Sequence, residues 1–238
     1  MKAMICSDFI TMKRVLVQFA LIGLLVTVFI GICGTSVLAA LAALVAMVPF
    51  MYVFSVAAYD EMGGWERFRL TLPISRHQVV FGRYAGILVV MVASWAVASL
   101  LGFVASSALS AMDGIEQAAV LASGYNPVEG SGHLMLVSSM MLLVAALTLP
   151  LFTRFGMTKA TRIAPVAFVL IMALLLVFSD SLSGMLSAAM PWISPLVQAG
   201  QANPFAALGL GATVFGVVLV LYVASAFLSA RLYEKRQF

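Results

Sequence analysis

The stretch that decides the fold is VLVQFALIGLLVTVFIGICGTSVLAALAALVAMVPFMYVFSVAAY, residues 15–59, which contains no Asp, Glu, Lys, Arg or His. As one α-helix its 45 residues would be about 67 Å long. The hydrocarbon core of a bilayer is only about 30 Å thick and is crossed by about 20 residues. The stretch therefore predicts two membrane-spanning helices, 15–33 and 37–59, joined by a turn that contains Gly31, Gly34, Thr35 and Ser36.

The composition of the whole chain agrees with a membrane protein. Of its 238 residues, 63% are hydrophobic and only 9% are charged, whereas soluble domains carry about 25% charged residues. A water-soluble core of this size could not bury so much apolar surface, whereas a bilayer solvates it. We predict one all-α transmembrane domain over residues 1–238, with six spans at 15–33, 37–59, 84–110, 134–153, 163–179 and 205–230.

The basic residues predict the orientation, because cytoplasmic loops carry an excess of Lys and Arg. All 13 lie on one side of the six-span plan: Lys2, Lys13, Arg14, Arg67, Arg69, Arg76, Arg83, Arg154, Lys159, Arg162, Arg231, Lys235 and Arg236. The charged residues of the opposite loops are all Asp or Glu. Both termini are therefore predicted to be cytoplasmic, in a multi-pass protein of the bacterial plasma membrane. Because such basic clusters face anionic headgroups, we expect membrane lipids as partners and no nucleic acid.

Two further segments are predicted to lie at the membrane without spanning it. Residues 181–204 carry three prolines, which break helices, and are predicted to form interfacial or re-entrant pieces. A seventh span there would also move the C-terminal basic cluster to the outer side. Residues 1–14 combine apolar side chains at helical spacing with charges elsewhere, which predicts an N-terminal interfacial helix. A frayed basic terminus is the alternative.

The segment 60–83 is predicted to be a helix–break–helix loop. Its first half carries an apolar stripe at i, i+3 and i+7, formed by Trp65, Phe68 and Leu72. Pro73 ends that helix, and Ser75 with Gln78 makes a Ser-x-x-Gln capping box that starts the next one. The alternative is a solvated loop with interfacial arginines.

Several motifs are absent from the sequence. There is no Gly-x-x-x-x-Gly-Lys-Ser/Thr phosphate loop, no His-Glu-x-x-His and no Cys-x-x-Cys. We therefore expect no catalytic residue, no cofactor site and no metal site in this chain, which is not predicted to be an enzyme by itself. No predicted span carries an Asp, Glu, Lys or Arg at its middle, where proton-coupled carriers place such groups.

Three short motifs lie in and directly after the 60–83 segment: Glu61-x-Gly63-Gly64, Leu72-Pro73-Ile74-Ser75-Arg76 and Gly82-Arg83-Tyr84. Together they resemble the ABC-2 type permease subunits of ABC transporters. In that family an acidic residue after span 2 precedes a leucine-proline-x-serine-arginine stretch, and a basic residue opens span 3. Arg83 stands where Lys is more frequent but keeps the charge. The six-span plan, the N-terminal interfacial helix and the broken outer segment also look like that family.

The resemblance implies the permease subunit of an ATP-driven exporter, which forms the path for an amphiphilic substrate such as a peptide or a drug. It implies a separate ABC ATPase subunit that binds ATP and Mg, and a dimer with a second copy or with a paralogous permease. In such permeases the first cytoplasmic loop and the N-terminal helix touch the ATPase. The implied coupling residues, none of them catalytic, are Glu61, Trp65, Glu66, Arg67 and Arg76.

Two other classes of function stay open. One is a membrane interaction or immunity protein that acts by binding and transports nothing. The other is a secondary transporter or a channel that needs no ATPase.

Overall fold

The computed structural model describes residues 2–33, 36–61, 75–111, 125–155 and 203–234, and these ranges form five α-helices. The helices are α1 (Lys2–Cys33), α2 (Val37–Glu61), α3 (Arg76–Ala111), α4 (Pro127–Phe155) and α5 (Pro204–Glu234). All five are long and apolar enough to cross a bilayer. The all-helical class is thus confirmed for the described part of the chain.

Side-chain caps lie at the starts of α2, α4 and α5. The Ser36 hydroxyl accepts a hydrogen bond from the third residue of α2. Asn126 and Asn203 cap α4 and α5 in the same way, through their side-chain oxygens at 3.0 and 3.1 Å from backbone N–H groups. In both helices a proline follows the cap, at the one helical position where its missing N–H costs nothing. Consequently α4 begins at Pro127, seven residues before the predicted start of span 4.

The N-terminal segment differs from its prediction. An interfacial helix at 1–14 was expected to be separate from span 1, but residues 2–33 form one continuous helix. No Gly or Pro occurs between Lys2 and Ile22, so nothing in the sequence interrupts the backbone hydrogen bonds. Met12 and Asp8 are also buried against the other helices, at 2% and 8% exposure.

Aromatic contacts show which helix ends lie together. Ring pairs join the N-terminal parts of α1 and α3 to the C-terminal parts of α2 and α5, and join α2 to α4: Phe9–Tyr52, Phe81–Phe227 and Phe54–Phe152, with centroids 6.3, 5.2 and 5.6 Å apart. We call this the basic end of the bundle, because it carries Lys13, Arg14, Arg83, Arg154 and Arg231. The grouping is the one that the positive-inside pattern requires. That the basic end is cytoplasmic stays a prediction.

The α4 and α5 helices run in the same direction. Far from the basic end, Gly211 of α5 lies so close to Gly132 of α4 that a Cβ on Gly211 would be 2.6 Å from the Gly132 carbonyl oxygen. Near the basic end, Ser225 of α5 donates a hydrogen bond to the carbonyl oxygen of Ala146. Both contacts join positions 79 apart (211 − 132 and 225 − 146), which shows that the helices are parallel.

Parallel α4 and α5 are what the six-span plan requires of its fourth and sixth spans. The predicted fifth span, 163–179, lies outside the described residues, as does the predicted segment 181–204 except for its last two residues. The count of six spans therefore stays a prediction.

The α3 helix is central, because it packs against all four other described helices. Its buried side chains include Val80, Ile87, Met91 and Ala98. With 36 residues it is about 54 Å long, which exceeds the roughly 30 Å of a hydrocarbon core. The helix begins at Arg76, eight residues before the predicted start of span 3, and these extra turns lie at the basic end.

Candidate functional site

The candidate functional site lies at the basic end of α3, where this helix begins. The N–H of Gln78 donates a hydrogen bond to Ser75 Oγ at 3.2 Å, and the N–H of Ser75 donates to Gln78 Oε1 at 3.4 Å. This reciprocal pair is the capping box predicted from the sequence, and it satisfies two backbone donors that a helix start leaves free. The predicted restart of a helix at Ser75 is confirmed.

The predicted coupling residues surround this start. Glu61 is the last residue of α2 and Arg76 is the first residue of α3, so both backbones lie at the basic end. Their side chains are not among those described. Trp65, Glu66 and Arg67 lie outside the described residues. The coupling role of all five residues stays a prediction.

Two turns into α3, Tyr84 is the centre of a buried polar cluster. Its hydroxyl lies 3.0 Å from Ser225 Oγ and 2.7 Å from Ser229 Oγ of α5. The Tyr222 hydroxyl donates to the backbone carbonyl of Tyr84 at 3.0 Å, and the two rings are 4.8 Å apart. We call Tyr84, Tyr222, Ser225 and Ser229 the tyrosine–serine cluster. Since Ser225 also donates to the Ala146 carbonyl of α4, the cluster connects three helices.

Charged groups pack on another side of α3. Asp8 of α1 is buried, and Arg83 of α3 is partly buried; each interacts with other groups of the protein. Both act electrostatically on Tyr52 of α2. The Tyr52 hydroxyl in turn lies against Gly86, where an added Cβ would be 3.6 Å away. The first turns of α3 are thus held by α1 and α2 on one side and by α4 and α5 on the other.

The polar groups of this arrangement connect helices through hydrogen bonds. Hydroxyl groups in the cluster bond to each other and to backbone carbonyls, and none of them faces an activating base among its hydrogen-bond partners. Within the five described ranges, no three His, Cys, Asp or Glu side chains are placed to hold a metal ion. The site can transmit a displacement of α3 to its neighbours, because a buried hydrogen bond in apolar surroundings resists separation of its partners.

The tyrosine–serine cluster was not predicted from the sequence. A signal for it exists, since residues 222, 225 and 229 place three hydroxyl groups at i, i+3 and i+7 on one face of an apolar helix. That spacing identifies the face of α5 that needs a polar partner. It does not identify the partner, Tyr84, which is more than 130 positions away along the chain.

One protein family matches the chain over nearly its whole length. A family model described as ABC-2 family transporter protein matches residues 3–234, a range that includes the five described helices except for Lys2, and the 60–83 loop. Neither a curated protein nor a solved structure matches the chain significantly.

Proposed function

Because the chain belongs to the ABC-2 family of transporter membrane proteins, we propose that it is the permease subunit of an ATP-driven exporter. In this role it forms the path for an amphiphilic substrate, a peptide or a drug. The five apolar helices support a path-forming role, since each is long enough to cross the bilayer.

The energy for transport comes from a separate subunit in this proposal. Permeases of this family usually work with an ATPase subunit, and the sequence contains no phosphate loop. ATP and Mg therefore bind on the partner, and this chain contributes no catalytic residue and no cofactor. Two permeases, identical or paralogous, pair in the membrane with two ATPases.

The structure of the α3 start supports the 60–83 loop as the coupling element. The helix that follows this loop begins at a capped, defined residue and packs against every other described helix. A displacement of the loop at the basic end therefore moves α3 against α1 and α2, which it contacts directly, and is transmitted to α4 and α5 through the tyrosine–serine cluster. This central position of α3 is the observation that carries the proposed coupling.

Charge removal at the two ends of the loop tests the proposal. In the complex of chain and ATPase, reconstituted in lipid, we expect Glu61→Ala and Arg76→Ala to lower ATPase activity and transport at least several-fold. Both residues lie at helix ends, so expression and membrane insertion should not change. Glu129→Ala, which removes a carboxylate near the opposite end of the bundle, is the matched control. Normal transport by both loop variants would show that this loop does not couple the two subunits.

A further inference from the structure

An apolar groove of about 390 Å³ lies between α1, α2 and α3. Its α1 wall consists of Phe9, Leu16, Val17, Ala20 and Leu24. The walls from α2 and α3 are apolar too, apart from Ser94. The hydroxyl of Ser94 already donates to the Met91 carbonyl at 2.9 Å, so the groove lining presents no polar group that requires a ligand.

The groove opens sideways at the level of the membrane spans. Val17 of α1 and Val89 and Val97 of α3 line it, and they are 54%, 51% and 48% exposed. All three lie within helices that are apolar enough to cross a bilayer. A lipid chain therefore reaches the groove from the surrounding membrane without passing through water.

A cation lies on the groove-facing stripe of α1. Lys13 is four positions after Phe9 and four before Val17, so it shares their helix face. Its side chain is exposed. Side chains of a helix tilt toward the N-terminus, which for α1 is the basic end, so we expect the Lys13 stem to extend from the groove-facing stripe toward that end.

The α3 wall also leads to a cation at the basic end. From Val90 and Ala93 this wall continues at helical spacing through Gly86 to Arg83. Asp8 acts on Tyr52 together with Arg83 and is the acidic side chain described near this cation. Among the described side chains, Lys13, Arg83 and Asp8 therefore give this end of the groove a net positive charge. The distance along α1 from Lys13 to Leu24, the residue of the α1 wall farthest from the basic end, is about 16 Å. This is half of a hydrocarbon core of about 30 Å and matches one leaflet.

We propose that this groove binds one acyl chain of an anionic phospholipid from the leaflet at the basic end, with the lipid phosphate beside Lys13. The acyl chain fills a lining without free polar groups, and the phosphate meets the positive end of the groove. The lipid stabilises the position of α1 against α3. The contact of α1 with the rest of the protein is otherwise limited, since only 6% of an apolar 18-residue stretch of this helix is buried.

Photo-crosslinking in nanodiscs tests this site without any ATPase, so its outcome is independent of the proposed transport function. The probe is a phosphatidylglycerol with a diazirine in one acyl chain, compared with the matching phosphatidylcholine. We expect the phosphatidylglycerol probe to label peptides that contain residues 16–24 or 89–97. Unlabelled phosphatidylglycerol should compete, and phosphatidylcholine should compete less.

Two variants separate the headgroup contact from the acyl contact. Lys13→Gln should reduce the preference for phosphatidylglycerol about fivefold, the effect of one cation near an anionic surface, whereas Arg14→Gln, on another face of α1, should reduce it less. Ala20→Phe fills the groove and should abolish groove labelling by both probes, whereas Ala224→Phe on the exposed face of α5 should not.

Three results would overturn the proposal: labelling that is spread evenly over all helices, equal labelling by the two lipids, or labelling that Ala20→Phe leaves unchanged. A benzophenone amino acid at Ala93 provides an additional check. If it joins two copies of the chain instead of lipid, the groove is a subunit interface and the lipid proposal is wrong.

Discussion

At the residue scale, Tyr84 is tied to its neighbours through both its side chain and its backbone. The hydroxyl bonds to Ser225 and Ser229, and the backbone carbonyl accepts from Tyr222. Ser229 is fully buried, so it has no water to replace Tyr84 as a partner. In apolar surroundings an unsatisfied hydroxyl costs about 1–3 kcal/mol, although measured side-chain pairs in membranes average nearer 0.6 kcal/mol.

Tyr84→Phe should therefore lower the stability of the folded protein by about 0.5–2 kcal/mol. The substitution removes the hydroxyl and keeps the ring that lies 4.8 Å from Tyr222, so it separates the hydrogen bonds from the packing. In the reconstituted complex it should also weaken the response of the ATPase to substrate. Unfolding in mixed micelles with increasing SDS measures the first effect.

Tyr59→Phe is the matched control, since Tyr59 is 43% exposed at the end of α2. Equal unfolding midpoints for the two variants would show that the hydrogen bonds of the tyrosine–serine cluster do not stabilise the packing of the helices. If Tyr84→Phe were destabilised but the ATPase still responded normally to substrate, the cluster would stabilise the fold without coupling the two subunits.

At this scale the sequence predicts local partners better than distant ones. Ser75 and Gln78 are three positions apart, so a helix start brings them together whatever the rest of the fold does. Tyr84 and Ser229 meet only because α3 and α5 pack side by side, and periodicity reveals a polar face without revealing what it faces. Three of the predicted coupling residues, Trp65, Glu66 and Arg67, lie outside the described residues, so their placement stays a prediction.

At the element scale, the parallel pair α4 and α5 depends on small residues where the helices approach most closely. A Cβ added to Gly132 would lie 2.7 Å from backbone atoms of Ala207 and Leu208, which cannot move aside as a side-chain end could. A Cβ on Gly211 would meet the backbone of Gly132 as closely. Small residues of this kind let the backbones of two membrane helices come into contact.

Gly132→Ala and Gly211→Ala should each destabilise the protein by about 1–3 kcal/mol, because the added methyl group forces the helices apart. Gly209→Ala and Gly216→Ala in the same helix, α5, should be neutral or stabilising by up to about 1 kcal/mol. Beyond the backbone of α5 itself and the adjoining residues, no atom lies within 4 Å of a Cβ at either position, and Ala favours a helix over Gly.

SDS-dependent unfolding of the four variants gives the comparison directly. The test is the sign of the change in stability, because the close-contact pair and the open pair of glycines undergo the same substitution in the same kind of helix. Destabilisation of the same size at all four positions would contradict the close approach of α4 and α5.

The helix boundaries show where pattern and structure diverge. Sequence patterns located the apolar centres of the five described spans, because roughly 20 uncharged residues have few alternatives to a membrane helix. They misplaced the start of α4, because an Asn-Pro pair is compatible with both a turn and a helix cap. They also divided α1 into an interfacial helix and a span, because residues 1–14 are amphipathic and residues 15–33 are uniformly apolar. The structure joins the two patterns in one unbroken helix.

At the scale of the whole molecule, the described basic residues lie at one end of the bundle, and α3 packs against the other four described helices. The predicted ATPase-facing loop begins and ends at that same end, between Glu61 and Arg76. A permease energised at this end requires no ionisable group at the middle of its spans, and the sequence has none there. The proposed function therefore depends most on the binding of an ATPase to the 60–83 loop.

Site-specific crosslinking in intact membranes tests that claim most directly. With a photoreactive amino acid in place of Glu66 or Arg67, we predict capture of a separate protein that binds and hydrolyses ATP, whereas the same amino acid in place of Glu129 captures none. The purified chain alone should show no ATP hydrolysis. Crosslinks that join only copies of this chain, together with substrate flux that persists after ATP depletion, would contradict the account and favour a channel or a secondary carrier.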